Sequence, residues 1–359
     1  MNETAILISS KNGEKTIAET VRRAASQADV YVVSDGSTDR TAEVAARAGA
    51  RVLERAESGG KPAALRAATR TFALAEHYRF IGVVDDDTLL APDYVERVMA
   101  RMRPGDAVAS GRIDSLWEHD RRWNVYIAMR AFMYWSYQVT IKRGQNAFGV
   151  VNVICGANSI FRAEIFAQLI EEDVPYAIDD MFWVGEIVRL RLGRIRYVHD
   201  AHSWTIDPHT FRDWYRQTVR WSWAQFQSIH GHHLLAPVRR DEHRRWRVSG
   251  FDLAYLALVL DWIPYALEPL LAVPLFFLLS AWVDPMWIGV WLVAWSVGWI
   301  GVAALALRRW RLVALAPVLI VLDLVYRATM LHAFAKTVRR PRVETCRWDS
   351  PPRFERRGV

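Results

Sequence analysis

Short apolar runs and longer amphipathic stretches alternate along the first hundred or so residues. The apolar runs lie at 5–8, 30–33, 51–53, 80–84 and 107–110. Helical patterns separate them, at 16–28, at about 39–48, from 61 onward and from 93 to about 102. Strands that alternate with helices in this way predict a doubly wound, parallel α/β sheet. The carboxyl ends of its parallel strands would then share one edge.

One of these runs ends abruptly in three carboxylates. Residues 80–84 have the apolar character of a buried strand, and Asp85, Asp86 and Asp87 follow directly. Ligands of such sheets bind beyond the carboxyl ends of the strands. Adjacent carboxylates repel one another unless a cation lies among them, and oxygen ligands suit Mg²⁺ or Mn²⁺ carrying a diphosphate. The alternative is an acidic turn that caps the next helix.

Three further polar groups follow apolar runs. Asp35 lies in the turn Ser34-Asp35-Gly36-Ser37-Thr38-Asp39 after the second strand. The small-residue segment at 156–159 follows the run at 150–155 and is predicted as a turn that lets a ligand approach the backbone. Asp179 and Asp180 precede an apolar helix at 181–192, where helix capping is the competing interpretation.

A helix that includes 214–223 carries Gln217, Arg220 and Trp221 on one face, at i, i+3 and i+4. An amide, a guanidinium and an indole offer hydrogen bonds, a diphosphate clamp and a stacking surface. A helix at a membrane surface would carry the same residue types. The aromatic-rich helical segment at 116–143 is more typical of packing than of a ligand site.

The last third of the chain is largely apolar and predicts membrane segments. Residues 251–283 fit an interfacial helix followed by a span, or one long kinked span, and 285–307 fit a clear span. A third segment at 312–335 contains Asp323 and Arg327, which at i and i+4 can neutralise each other. Three spans would place the basic tail outside the cell, against the positive-inside tendency. Either the third segment is re-entrant or the first contains a hairpin.

Composition narrows the function classes. The 359 residues carry a net charge of +7, and the basic residues cluster on both sides of the apolar third, which favours contact with anionic lipid. Nucleic-acid motifs are absent, so we expect no nucleic-acid partner. Cys155 and Cys346 lack the spacing of a disulfide framework or a zinc site. The N-terminus has no signal-peptide pattern, so the first domain is expected in the cytoplasm.

In order, these motifs resemble the inverting family-2 glycosyltransferases, and among them the membrane-bound synthases of the cellulose, chitin and hyaluronan type. The matching segments are a D-G-S-x-D turn, a D-x-D group, G-x-x-x-F-R, an acidic pair and Q-x-x-R-W, all within about residues 4–225. The resemblance implies a nucleotide-diphospho-sugar transferase fold of the GT-A type, a doubly wound mixed sheet followed by transmembrane helices. It divides the chain into a catalytic domain (1–225), an interfacial linker (226–250), a membrane region (251–335) and a basic tail (336–359).

The resemblance also implies residue roles. Asp180 would be the general base, and Asp87 with Asp85 would bind Mg²⁺ or Mn²⁺. The donor nucleotide would be bound by Ser9, Lys11, Asp35, Lys61, Asp85, Gln217 and Arg220. The acceptor would be bound by Trp221, Asp179, Gly156 and Asn158. Asp179 stands where the family usually has Glu, and Lys11 where it more often has an aromatic residue.

The implied function is transfer of a hexose or N-acetylhexosamine from a UDP-sugar to a growing β-linked polysaccharide, by a multi-pass protein of the cell membrane. The alternatives are transfer of one sugar to a lipid acceptor, or nucleotide-sugar binding without turnover. Related synthases usually carry transmembrane helices ahead of the catalytic domain. This sequence shows none, so a full polymer channel is not expected in one subunit, and a homo-oligomer is a candidate assembly. Residues 343–348 faintly resemble the family's T-x-K/R gating segment.

Overall fold

The computed structural model describes residues 3–117, 121–149, 151, 153–231, 239–240, 246–247, 270–344 and 346. Most of the predicted interfacial linker, the apolar segment up to residue 269 and nearly all of the basic tail beyond 344 lie outside the described residues. Within the linker range, two short strands, Arg239–Arg240 and Trp246–Arg247, pair antiparallel.

The centre of the fold is an eight-stranded mixed sheet. Its strands are β1 (Thr4–Ser10), β2 (Asp29–Asp35), β3 (Arg51–Arg55), β4 (Phe80–Asp85), β5 (Leu89–Leu90), β6 (Asp106–Ser115), β7 (Asn158–Arg162) and β8 (Arg194–Thr205). Their order is β3-β2-β1-β4-β7-β6-β8-β5. The first four strands are parallel, β7 is antiparallel to β4 and β6, β8 is parallel to β6, and β5 is antiparallel to β8. The predicted doubly wound mixed sheet is confirmed.

Helices cover both faces of this sheet. They are α1 (Ile17–Ala25), α2 (Thr41–Arg47), α3 (Lys61–Thr71), α4 (Leu74–His77), α5 (Tyr94–Arg101), α6 (Val125–Tyr137), α7 (Arg143–Phe148), α8 (Ala163–Glu171), α9 (Asp179–Arg189) and α10 (Phe211–Gly231). Strand β1 is buried throughout, and its side chains alternate between two cores. Ala5 and Leu7 pack with α3 and α8, whereas Ile6 and Ile8 pack with α1 and α5.

The structure corrects the sequence prediction around β7 and β8. Asn158 and Ser159 were expected in a turn but begin β7, where they pair with Val84 and Val83 of β4. Strand β8 was not predicted, because its polar residues alternate with buried ones and leave no continuous apolar run. A strand with one partly exposed face does not carry the signal that marks β1 or β4.

After α10 the described chain continues with α11 (Leu270–Ser280), α12 (Pro285–Ala306), α13 (Arg311–Ala314) and α14 (Ala316–Arg339). Helices α12 and α14 are long and apolar enough to cross a membrane. Helix α12 is exposed over most of its length and buries Ile300, Ala303 and Ala304 near its end. Helix α14 packs along α10 and α6. Its predicted Asp323–Arg327 pair is present, with 2.9 Å between Oδ2 and Nε.

Four tryptophans recur every fourth residue along α12 and lie in two environments. Trp287, Trp291 and Trp295 are exposed, whereas Trp299 packs on Trp135 of α6 with ring centroids 5.0 Å apart. The Trp299 indole N–H also donates to the hydroxyl of Ser136 at 2.9 Å. The final tryptophan therefore attaches α12 to α6, and the other three are exposed.

Candidate active site

A cavity of about 490 Å³ opens where β4 ends and is closed by α6, α9, α10 and α14. It brings together most of the residues that the motifs singled out. The predicted site residues that line it are Lys61, Asp85, Asp87, Gly156, Asp179, Asp180, Gln217, Arg220 and Trp221. Residues from five separate segments of the chain thus meet at one edge of the sheet, as the strand-end argument requires.

The three aspartates after β4 have different surroundings. Asp85 forms an ion pair with Lys61, with 2.7 Å between Oδ1 and Nζ. Asp87 accepts a long hydrogen bond from the hydroxyl of Thr205, at 3.4 Å. Asp86 is buried and its carboxylate accepts from the hydroxyl of Ser10 at the end of β1. All three aspartates line the cavity, and Asp86 also joins the ends of β1 and β4.

Lys61 begins α3 and lies among the acidic groups. Its ammonium also donates to the carbonyl of Gly156 at 3.1 Å and lies 3.9 Å from Oδ2 of Asp179. Burial alone would lower the pKa of Lys61, but the carboxylates of Asp179 and Asp85 outweigh burial and raise it. Lys61 is therefore a permanent positive charge within the cavity wall.

Asp180 lies in the first turn of α9, beside Asp179. The amide of Gly156 donates to Oδ2 of Asp180 at 3.1 Å. The other oxygen, Oδ1, is buried and has no hydrogen-bond partner among the described residues. Burial, reinforced by the charge of Asp179 and opposed by Lys61, raises the pKa of Asp180 to about 7. This carboxylate is suited to exchange protons near neutral pH.

The acidic pair lies in the first turn of α9, as the helix-capping interpretation requires, but neither residue is the N-cap. Ile178 occupies the N-cap position of α9, and no side chain caps that end by a hydrogen bond. Asp179 is almost fully buried, and burial raises its pKa while Lys61 opposes that shift. Backbone amides at the start of α9 also donate hydrogen bonds to the Asp179 carboxylate, so this residue contributes to the helix terminus as well as to the cavity wall.

The predicted face of α10 does point into the cavity, and it meets α6 there. Arg130 of α6 donates from Nη2 to Oε1 of Gln217 at 3.0 Å and lies 4.2 Å above the ring of Trp221. Tyr134, one turn further along α6, stacks on the same indole with centroids 6.2 Å apart. Arg220 lines the cavity, and its buried Nε has no hydrogen-bond partner among the described residues.

Sequence reasoning missed three residues of this wall. Arg130 and Tyr134 belong to the aromatic-rich segment that was assigned to packing, and Asp207 follows β8. The Tyr134 hydroxyl donates to Oδ1 of Asp207 at 3.0 Å. Burial raises the pKa of Asp207 and lowers that of Arg130. The signal in the sequence was the i, i+4 spacing of Arg130 and Tyr134, which places both polar groups on one face of an otherwise apolar helix.

Four predicted site residues do not line the cavity. Asp35 is fully buried and accepts from the Arg55 guanidinium, from the Ser58 hydroxyl at 2.9 Å and from the Gly60 amide at 3.0 Å. It thereby fixes the loop that leads into Lys61, and its role at the nucleobase stays a prediction.

Asn158 is also buried, and its amide donates to the hydroxyl of Ser203 at 2.7 Å, which ties β7 to β8. Ser9 is buried at the end of β1, and Lys11 is partly exposed just beyond that strand. Neither the acceptor role of Asn158 nor the nucleotide roles of Ser9 and Lys11 has a counterpart in the cavity wall.

The carboxylates also bear on metal binding. Among the described residues, no group of three or more His, Cys, Asp or Glu side chains is placed to hold a metal ion. Asp85, Asp86 and Asp87 all line the cavity at the end of β4, and the Asp86 carboxylate already accepts a hydrogen bond from Ser10. Mg²⁺ is commonly held by one or two carboxylates together with substrate phosphates. The donor set therefore fits a divalent cation that arrives with a nucleotide diphosphate.

The C-terminal part of the described chain completes the cavity. Asp323, Tyr326, Arg327 and Met330 of α14 line it, as does Cys346. Beyond α14, the amide of Val343 donates to the carbonyl of Pro175 at 2.8 Å. The segment that resembles the gating motif thus lies against the loop preceding Asp179 at Val343 and lines the cavity at Cys346. Thr345, Arg347 and Trp348 lie outside the described residues.

The sheet order and the position of the cavity define a nucleotide-sugar transferase fold of the GT-A type. The chain is similar to a solved structure of the mannosyltransferase PcManGT from Pyrobaculum calidifontis, a protein crystallised with GDP-mannose and Mn²⁺. The TM-score is 0.57 at 16% sequence identity, and the match covers 94% of this chain and 87% of that one. At this identity the likeness shows the fold alone.

Residues 5–170 match the model of the family described as glycosyl transferase family 2. The chain is 29% identical over 322 residues to an N-acetylglucosaminyltransferase of Bradyrhizobium diazoefficiens, covering 83% of this chain and 62% of that protein. It is 24% identical over 262 residues to a poly-β-1,6-N-acetyl-D-glucosamine synthase of Staphylococcus aureus, covering 70% and 59%. The chain therefore spans about three fifths of the length of these relatives. Together the findings support a family-2 glycosyltransferase, as the motifs predicted.

Proposed function

We propose that this protein is a membrane-anchored, inverting glycosyltransferase that moves N-acetylglucosamine from its UDP donor to a growing β-linked polysaccharide. The family match and the relatives support glycosyl transfer to a polysaccharide. The names of the relatives favour N-acetylglucosamine among the hexose and N-acetylhexosamine donors that the sequence left open. We further propose a cytoplasmic catalytic domain at the cell membrane, with association of several copies where a polymer channel is needed.

The observation that carries the proposal is the environment of Asp180. One carboxylate oxygen is held by the Gly156 amide, the other has no partner among the described residues, and the pKa lies near neutrality. In the proposed reaction Asp180 takes the proton of an acceptor hydroxyl. The acceptor oxygen bonds to the anomeric carbon while the bond from that carbon to the diphosphate breaks, and UDP leaves with the electron pair. A single displacement of this kind inverts the anomer.

The residues opposite Asp180 suit the leaving diphosphate. Lys61 is fixed as a cation by its carboxylate neighbours, and Arg220 presents a guanidinium to the same cavity. Both are donors to phosphate oxygens. Asp85 and Asp87 would hold a divalent cation, which when bound would neutralise charge on the diphosphate. Gln217 is positioned by Arg130 on the same wall.

The acceptor side is proposed at Trp221. The Trp221 indole packs against the Arg130 guanidinium and stacks on the Tyr134 ring. The orientation of the indole is therefore fixed before any sugar binds. Sugar rings commonly present C–H groups to such an aromatic surface. Asp179 would act indirectly, through its charge on Lys61 and Asp180.

Purified full-length protein should be tested with radiolabelled UDP-N-acetylglucosamine, UDP-glucose and GDP-mannose, each with Mn²⁺, Mg²⁺ or a chelator. We expect metal-stimulated transfer from the UDP-N-acetylhexosamine and a ladder of products on gels. Asp180→Asn should abolish transfer while UDP binding persists. Asp173→Asn, in the exposed loop ahead of α9, is the matched control. Undiminished transfer by Asp180→Asn would contradict the assignment of the base.

Transfer of one sugar to a lipid acceptor is a second candidate, favoured by one observation. Helix α14 lines the cavity with Tyr326 and Met330 and exposes Val321 and Leu324 to the outside. A lipid acceptor at this helix would reach the cavity directly. A single glycoside that extracts into organic solvent, with no ladder, would identify this activity. UDP binding without any transfer would favour the non-catalytic alternative instead.

A further inference from the structure

A second cavity, of about 750 Å³, lies beside the first between α10, α14 and the segment that follows α14. Its walls combine the outer face of α10 with the C-terminal half of α14. The lining includes Arg216, Arg220, Lys336, Arg340, Arg342 and Glu344. The proposed reaction uses none of these except Arg220, which lines both cavities.

The charge of this cavity is strongly one-sided. Among the described residues that line it, five are lysine or arginine and one, Glu344, is acidic. A concave surface with one sign of charge concentrates ions of the opposite sign. The cavity therefore favours an anion.

The cavity wall is held in place by contacts between its elements. The Lys336 ammonium lies 3.7 Å from the centre of the Trp223 ring, and the Trp223 indole N–H donates to the carbonyl of Arg340 at 3.3 Å. The hydroxyl of Tyr215 on α10 contacts Nδ1 of His332 on α14 at 3.0 Å. Val343 is tied to Pro175 by its amide. A wall fixed in this way loses little freedom when a ligand binds.

Several guanidinium groups around one space match the oxygens of a phosphate, since arginine binds phosphate with paired hydrogen bonds. The neighbouring surface indicates what else the ligand carries. On α14, Phe334 and Val338 flank Lys336 and are 41% and 71% exposed. The Phe334 ring packs edge-on against Phe226 of α10, whereas Val338, like Val321 and Leu324 earlier in α14, is exposed. A molecule with a phosphate head and hydrocarbon chains satisfies both surfaces.

We propose that this cavity binds the phosphate of an anionic membrane lipid, with the acyl chains along the apolar face of α14. The phosphate would contact Arg340, Arg342 and Lys336. Lipid bound at this site would hold the end of α14 at the level of the lipid headgroups. It would thereby also position Tyr326 and Met330, which line the first cavity.

Binding is tested on purified full-length protein in neutral detergent, by titration with dihexanoylphosphatidylglycerol, dihexanoylphosphatidylcholine and inorganic phosphate. We expect saturable binding of phosphatidylglycerol, tighter than that of the zwitterionic lipid or of phosphate alone. Arg340→Gln and Arg342→Gln should each weaken it about tenfold, the loss of one charge-assisted hydrogen bond. Arg339→Gln is the matched control, because Arg339 is adjacent and exposed but does not line the cavity.

Equal weakening by Arg339→Gln would overturn the proposal, since diffuse surface charge would then explain the binding. Absence of saturable binding would overturn it as well. Phosphate binding as tight as that of phosphatidylglycerol would overturn the lipid assignment. The measurement needs no turnover, and Asp180→Asn should bind the lipid unchanged. Lipid binding would therefore stand even if the protein transferred no sugar. Sugar transfer would likewise stand even if no lipid bound.

Discussion

The backbone amide of Gly156 holds one oxygen of the Asp180 carboxylate at 3.1 Å, and a methyl group on Gly156 would lie 2.7 Å from that same oxygen. The two residues come from a turn and a helix that are 24 positions apart. Glycine is therefore required at 156 by the close approach of a side chain, whereas the resemblance had suggested contact with the acceptor. This contact supports a first prediction.

Gly156→Ala should displace Asp180 without unfolding the protein, because the crowded atom is the end of a movable side chain. We expect the turnover rate to fall about a hundredfold, the usual effect of a misplaced catalytic group, with little change in melting temperature. Gly144→Ala is the control, since an added methyl there meets nothing within 4 Å. Normal turnover by Gly156→Ala would show that the position of Asp180 is not critical.

The rate of transfer should depend on pH through Asp180. Its pKa is raised to about 7, and only the deprotonated form accepts a proton, so kcat/KM should rise with pH and level off above that value. The charge of Asp179 contributes to the raised pKa. Asp179→Asn should therefore move the acidic limb to lower pH, whereas Asp173→Asn should leave it in place. Rate profiles between about pH 5 and about pH 9 test this; an unmoved limb in Asp179→Asn would contradict it.

The aspartates at the end of β4 should separate stability from activity. Asp86→Asn removes a buried charge-assisted contact with Ser10 and should lower the free energy of unfolding by about 1–3 kcal/mol. Asp87→Asn should leave the melting temperature unchanged and abolish stimulation by Mn²⁺ or Mg²⁺. Thermal denaturation and metal titration of both variants decide this. If the two variants behaved alike, the division between a structural and a ligand-binding carboxylate would be wrong.

Trp221 should act as a platform and not only as packing. Trp221→Ala removes the ring beneath Arg130 and the stacking partner of Tyr134, and we expect the KM for acceptor to rise about tenfold while the KM for UDP-sugar changes little. Trp221→Phe should retain most of the affinity. Trp310→Ala, on an exposed tryptophan, is the control. Equal increases in both KM values would indicate a general loss of structure.

The sequence predicted those site residues whose position follows from a single local rule, such as where a strand ends or how residues are spaced along a helix. Because parallel strands end at one edge, Asp85 and Asp87 were expected beside the other motifs, and helical spacing placed Gln217 and Trp221 on one face. Both expectations agree with the cavity lining. The beginning of α3 at Lys61, with proline in its first turn, was equally readable from local signals.

Other features depend on contacts between distant segments and left no local signal. Nothing near Arg130 in the sequence indicates that it covers Trp221, because the two lie on separate helices. Asn158 reads as a turn residue until β8, which has no apolar run, is known to lie nearby and accept its hydrogen bond. Likewise, Asp35 sits in a family motif, yet its surroundings are set by the loop at 58–60.

Helix α14 forms one wall of the cavity, although it begins almost a hundred positions after the last of the predicted motifs, at 217–221. A shortened polypeptide that stops at residue 231 would retain every acidic residue of the predicted site and still leave the cavity open on one side. Solvent would then reach Asp180 and compete with the sugar hydroxyl for the activated donor. Soluble fragments of the proposed transferase are thus expected to hydrolyse the sugar donor in preference to extending a chain.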